Sequence, residues 1–225
     1  MAEPISLPKA ERLFWLGRYT QRVYAVLHFF RKFRDVIIDV DAGAYCNFCD
    51  LLGIENRYAS SRDFFTRFLF DRDDGSSLIS ALISAHDNAL VLREEIKSET
   101  LAFIQMAIAH VDGLPPTADV VRWQIVGDYM LAFLGAVEER IRKPRVRDLI
   151  EIGWHLESFD LHLRLNYAYD RLLDLRGRLE RRLLREPELF DQQKFVALKE
   201  EMALPLFDKS RALTLAGQLF RVDNG

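Results

Sequence analysis

The stretch AERLFWLGRYTQRVYAVLHFFRKF, residues 10–33, decides how the rest of this chain is read. Leu13, Leu16, Val23, Leu27 and Phe30 recur at helical steps and share one face of a helix. The opposite stripe, Glu11, Trp15, Arg18, Arg22, Val26, Phe29 and Phe33, mixes ionic groups with aromatic and branched side chains. A helix apolar on both sides is expected to be covered on both. Glu11, Arg18 and Arg22 would then be charges against a core, where an unpaired charge costs several kcal/mol. Two readings of the stripe stand open. One is a structural ion-pair network; the other is a polar site inside an all-helical protein.

Composition narrows the class. The chain has 225 residues, enough for one large domain or two small ones, and 49% hydrophobic residues with 16 Phe can bury a sizeable core. A formal net charge of -3 supplies no field for nucleic acid or anionic membranes. Two cysteines cannot build a disulfide framework. The opening MAEPISLPKAERLF lacks the basic start and apolar run of a signal peptide. No stretch reaches 18 uncharged apolar residues, so no membrane span is expected. A cytoplasmic protein, with neither nucleic acid nor membrane as partner, is the expectation.

Outward from the first stretch, Pro8 suits a first helical turn, and a helix is predicted from there towards Val40, broken over Asp39 to Gly43. Tyr45–Leu52 and Ser61–Phe70 read as shorter helices. Ser76 or Ser77 is a candidate N-cap for a long helix from about Leu78 to His110. The break at Asp112 to Pro116 is followed by Thr117 or Asp119 as caps and a helix over Val120–Ile141. Pro144 starts another, extending as far as Glu186. Pro187 ends it, and a last segment bent at Pro205 reaches about Phe220. Period-two alternation is absent. The expected architecture is all-α: a single domain over residues 1–225, a bundle of five or six main helices with short connections.

Several constellations could carry chemistry. On the predicted Leu78–His110 helix, Asn88, Glu95 and Glu99 share one face, and His86, Arg93 and Lys97 an adjacent one. Packed against the Glu11, Arg18 and Arg22 stripe, they would enclose a pocket for a carboxylate, amide or amine, with Glu94 or Glu99 on an amine and Arg18, Arg22 or Arg93 on a carboxylate. The bland alternative is a solvated face. Glu151, His155, Ser158 and His162 share a stripe, yet the Glu-x-x-His pairs of di-iron bundles are absent, so no metal site is assigned. Cys46 and Cys49 have CxxC spacing without a second pair, and two helical thiols are expected rather than zinc. The basic run Arg171 to Arg185 reads as a partner-docking or solvent face. The Phe-rich segment Asp63 to Phe70 is the candidate docking surface, its alternative being a helix packed flat on the bundle. A fragment of internal likeness, Leu16-Gly17-Arg18 to Arg22 against Ile152-Gly153-Trp154 to Ser158, places a glycine early in each.

Three stretches together resemble the alpha-E domain family of bacterial all-helical proteins, named after a helical Glu-Arg motif. They are Ala10-Glu11-Arg12-Leu13-Phe14-Trp15-Leu16-Gly17-Arg18-Tyr19 with Gln21-Arg22; Ser76-Ser77-Leu78 through Asn88, Arg93-Glu94, Ser98 and Glu99; and Ile152-Gly153 to Glu157. The departures are Gln21 where the first pair would have Glu, His86 and Leu90 in the central run, and Ser158 where the last pair would have Arg. The resemblance implies a helical subunit associated with ATP-grasp proteins, and with transglutaminase-like peptidases, in ATP-dependent amide or peptide bond formation. No Gly-rich phosphate loop occurs in the chain, so ATP and magnesium would belong to the partner. The polar-pocket candidates are Glu11, Arg18, Arg22, Asn88, Arg93, Glu94, Glu99 and Glu157. A stand-alone scaffold with structural ion pairs is the alternative.

Overall fold

A computed structural model describes residues 5–115 and 118–221; the Thr117 cap lies outside the described residues. The first stretch lies in one 33-residue helix, α1 (Leu7–Asp39), with a proline in its first turn. It is followed by α2 (Ala44–Leu52), α3 (Ser61–Phe70), α4 (Leu78–Val91), α5 (Arg93–Ile96), α6 (Ser98–Asp112), a 3-10 turn at Val120–Trp123 and α7 (Gln124–Arg140). Then come α8 (Pro144–Arg164), α9 (Tyr169–Leu183), α10 (Gln192–Glu201) and α11 (Lys209–Gly217). Among the described residues no strand forms beyond an isolated bridge between Phe190 and Phe220. The all-helical class stands.

The expected count of five or six helices does not. Among the described residues there are eleven α-helices, because three predicted helices are each divided. The Leu78–His110 helix breaks twice, where Leu92 leaves helical geometry (ψ 9°) and Lys97 takes a positive φ of 72°. Leu92 and Ile96 are buried at these corners, so a straight rod is given up in favour of packing. The helix predicted from Pro144 to Glu186 stops at Arg164, where Asn166 adopts φ 56° and the Tyr167 N–H donates to the His162 carbonyl. Asn tolerates that left-handed turn better than other side chains. The C-terminal segment likewise forms two helices, α10 and α11, on either side of Pro205.

Helices α1 and α8 form the axis of the bundle. Arg22 meets Glu157 and, one to two turns on, Phe29 meets His162, so the two helices run parallel. Their glycines permit the approach. A Cβ on Gly17 would lie 1.9 Å from the Ile150 carbonyl oxygen, and one on Gly153 2.0 Å from that of Phe14. Both helices are therefore in backbone contact, and no other residue fits either position. Lys9 with Glu95 and Arg12 with Asn88 set α4 and α5 antiparallel to α1. Arg31 with Gln124 and Arg34 with Asp119 do the same for the start of α7.

Val120–Arg140 is long and apolar enough, by length and composition, to cross a membrane, although Arg122 and Asp128 keep it short of 18 uncharged residues. In the bundle its Val126, Met130, Phe133 and Val137 are buried among other helices. The Phe-rich segment is packed rather than open. Phe64, Phe68 and Leu69 are buried and Phe30, Phe48, Phe64 and Phe68 form one ring cluster, so the docking surface expected over Asp63 to Phe70 is replaced by core. The basic run forms α9, whose Leu172, Leu175, Leu179 and Leu183 are buried while Arg182 and Arg185 bond to Glu151 and Asp148 of α8.

Candidate functional site

The geometry of the site begins with the buried carboxylate of Glu157. It is inaccessible to solvent and accepts from Arg18 Nε at Oε2 and from Arg22 Nε at Oε1, both at 2.6 Å. Burial alone would raise its pKa, but the two guanidiniums overcome that and hold it below the usual carboxylate range. Arg18 also lies against aromatic rings, its Cζ 5.1 Å from the Trp15 ring centre and 5.9 Å from that of Phe14. The Arg22 side chain keeps 39% of its surface exposed.

That exposure opens into a cleft of about 260 Å³ between α1, α8 and the start of α4. Arg164 lines it as well, with its Nε donating to Asp160 Oδ2 at 2.7 Å. Three guanidiniums thus face two carboxylates, Glu157 and Asp160, which leaves one positive charge in excess. Gly75, Ser76, Ser77 and Leu78 close the far side. There Ser77 caps α4 by accepting from the Ser80 N–H at 3.2 Å, which aims the positive end of the α4 dipole at the cleft. A carboxylate or other small anion fits this arrangement chemically, bidentate on Arg22.

The sequence candidates fall in three places. Arg18, Arg22 and Glu157 come together in the cleft. Glu11 and Asn88 lie apart from it, in a shallow groove with Arg12, Trp15 and Tyr19, where Arg12 Nη1 donates to Asn88 Oδ1 at 3.2 Å. Among the described residues Glu11 makes no ion pair. Arg93, Glu94 and Glu99 are exposed. Glu94 and Glu99 border a third, open groove with Lys97, Arg140 and Lys143. The face expected to unite Asn88, Glu95 and Glu99 does not exist, because α4, α5 and α6 change direction between them. Glu95 instead bonds Lys9 at 2.7 Å and Lys143 at 3.1 Å.

Asp160 and Arg164 are not among the sequence candidates, and the Ser76-Ser77-Leu78 helix start, expected as a cap, lines the cleft as well. Glu157, Asp160 and Arg164 stand three and four residues apart on α8, a spacing that marks one helix face. Among the described residues no group of His, Cys, Asp or Glu is arranged to hold a metal. Cys46 and Cys49 are free thiols.

Fold and site define a class, the helical proteins in which a buried glutamate is clamped by arginines of another helix. The family model for Alpha-E, described as "a predicted alpha-helical domain with a conserved ER motif", matches residues 9–188, and the chain belongs to that family. No curated protein and no solved structure matches it.

Proposed function

We propose that this protein is a helical subunit that works beside an ATP-grasp ligase in ATP-dependent amide or peptide bond formation, holding a substrate carboxylate in the Arg18–Arg22–Glu157 cleft. Membership of the Alpha-E family supports the partnership, given the association that the family resemblance implies. The observation that carries the role of the cleft is its unbalanced charge, with Arg22 and Arg164 open to an incoming anion after Glu157 and Asp160 are counted. A ligase of this kind activates a carboxylate by phosphorylation, and a positioned guanidinium can orient such a group without taking part in the chemistry. ATP and magnesium belong to the ligase in this scheme; a transglutaminase-like protein is a further candidate partner.

A second reading is favoured by one specific feature. Both oxygens of Glu157 are already bonded, as in a closed structural network. The scaffold alternative therefore makes a distinct forecast. Co-expression with an ATP-grasp protein encoded beside this chain tests both: a stable complex that consumes ATP with an amine and a carboxylate supports the subunit role. Arg22→Gln should then lower turnover at least tenfold with little change in melting temperature. A variant that melts earlier but ligates normally would assign the cleft to structure alone. The isolated chain should not bind Mg-ATP with micromolar affinity in calorimetry.

A further inference from the structure

The arginine cleft and the shallow groove at Glu11 lie on one stripe of α1. Glu11, Trp15, Arg18, Tyr19 and Arg22 fall within about 100° of the helix circumference at 3.6 residues per turn. All five are half-buried, so the stripe reaches solvent along its whole length. The two hollows also touch. Arg18 and Arg22 line the cleft, with Cζ of Arg18 5.1 Å from the Trp15 ring centre and Cζ of Arg22 5.9 Å from that of Tyr19. Trp15 and Tyr19 in turn line the groove, of about 310 Å³, with their ring centres 5.4 Å apart.

The ends of the stripe are opposite in charge. At one end Arg22 keeps 39% of its side chain exposed while it shares Glu157 with Arg18. At the other, the accessible Glu11 makes no ion pair among the described residues, because the cations beside it are engaged elsewhere. Arg12 donates to Asn88 Oδ1 of α4 at 3.2 Å, and Lys9 to Glu95 Oε1 at 2.7 Å. An open carboxylate of this kind suits an ammonium, as an open guanidinium suits a carboxylate. Between the ends the wall is aromatic, with flat faces for small apolar side chains and peptide planes. Spacing then selects the ligand. Glu11 and Arg22 stand eleven residues apart, about 16 Å along the axis at about 1.5 Å per residue, and both side chains lean towards the helix N-terminus, which preserves that separation. A single amino acid cannot bridge it. An extended chain advances about 3.3–3.6 Å per residue, so four or five residues do.

We propose that this stripe is a ruler for an extended peptide of four or five residues with both ends free. Its C-terminal carboxylate meets Arg22, its backbone lies along Tyr19 and Trp15, and its N-terminal ammonium pairs with Glu11. Holding the two ends of one molecule apart leaves only the carboxylate at the arginine cleft. The inference rests on the reading of that cleft as a carboxylate site and adds the length and the second charge of what it holds.

Titration of the full chain with penta-L-alanine, followed by calorimetry and by tryptophan emission, tests it. Trp123 is 0% and Trp154 6% exposed, so a change in emission reports Trp15. Saturable binding with Kd at or below about 1 mM is expected, with di-L-alanine at least about tenfold weaker. The C-terminal amide of penta-alanine should also bind at least about tenfold more weakly, and the N-acetylated peptide about threefold. Glu11→Gln should erase the penalty of acetylation and leave that of amidation intact. Equal affinity for the two lengths, or an acetylation penalty that survives Glu11→Gln, overturns the ruler; amidation that still weakens binding then keeps the carboxylate site. Amidation without effect overturns both readings. If Glu11→Gln fails to fold, the length series and the acetylated peptide on the unaltered chain decide it.

Discussion

Arg22 of α1 and Glu157 of α8 form a 2.6 Å ion pair, although neither Gln21-Arg22 nor Glu157-Ser158 is a complete Glu-Arg dipeptide. Gln21 precedes Arg22, and Ser158 follows Glu157. The retained halves of the two motifs meet in space, and the altered halves meet on the opposite side of the helix pair. The first meeting is ionic, while the second brings only the uncharged Gln21 and Ser158 to one side.

The first prediction weighs the members of that contact. Glu157→Gln leaves Arg18, with 12% of its side chain exposed, without a counter-charge and should destabilise the fold by about 3 kcal/mol. Arg22→Gln should cost only about 1 kcal/mol, since Arg18 still satisfies the carboxylate and Arg22 is partly solvated. Urea denaturation of both variants checks the order. Equal losses would mean that Glu157 is not the hub of the network.

Backbone contact at the crossing gives the second. Gly17→Ala and Gly153→Ala each force α1 and α8 apart and should cost about 3 kcal/mol or more. Because one separation relieves both clashes, the double variant should lose clearly less than the sum. Additive losses in thermal unfolding would show that the two glycines do not share one constraint.

A third concerns pH. Burial first, and then a hydrogen bond with Glu138, raises Glu151 to about 7 from 4.5, while Arg182 pulls the other way. A carboxyl raised on folding contributes stability fully below about pH 4.5 and loses it as pH climbs through about 7. His155 and His162, lowered chiefly by burial, have the opposite sign: their contribution is lost as pH falls below 6.5. Only the difference between wild type and Glu151→Gln isolates the carboxyl. That difference should move against wild type between about pH 5 and pH 8. A flat difference across the window would rule out the shared proton.

The two cysteines provide a fourth. Cys49 is inaccessible and burial pushes its thiol up to about 11, whereas Cys46 is half-buried and accepts from Asn56 Nδ2 at 3.3 Å. Ellman's reagent at neutral pH should label one thiol quickly, and mass spectrometry should place it at Cys46. Rapid labelling of both, or an internal disulfide after mild oxidation, would contradict this.

Lys97 supplies the last. Its φ of 72° with ψ 148° is a region almost reserved for glycine. Lys97→Gly should raise stability by about 1 kcal/mol after the entropy of glycine is set against the relieved strain. A loss in the melting temperature would place the strain elsewhere.

The sequence alone determined the class of this protein and half of its site. Helical spacing in residues 10–33 is a local property, so α1 and its two buried faces were legible. The cost of leaving Arg18 and Arg22 uncompensated demanded partners, and the resemblance of Ile152-Gly153 to Glu157 supplied the candidate. What it could not determine was direction. The bends at Leu92, Lys97 and Asn166 carry neither glycine nor proline, and they arise because Leu92 and Ile96 are worth more buried than a straight helix is worth intact. Those bends sent Asn88, Glu94 and Glu99 to different surfaces. The tertiary structure also decided which halves of two incomplete motifs face each other. That choice depends on a helix crossing set by Gly17 and Gly153, residues far apart in the chain whose missing side chains acquire meaning only when two backbones touch.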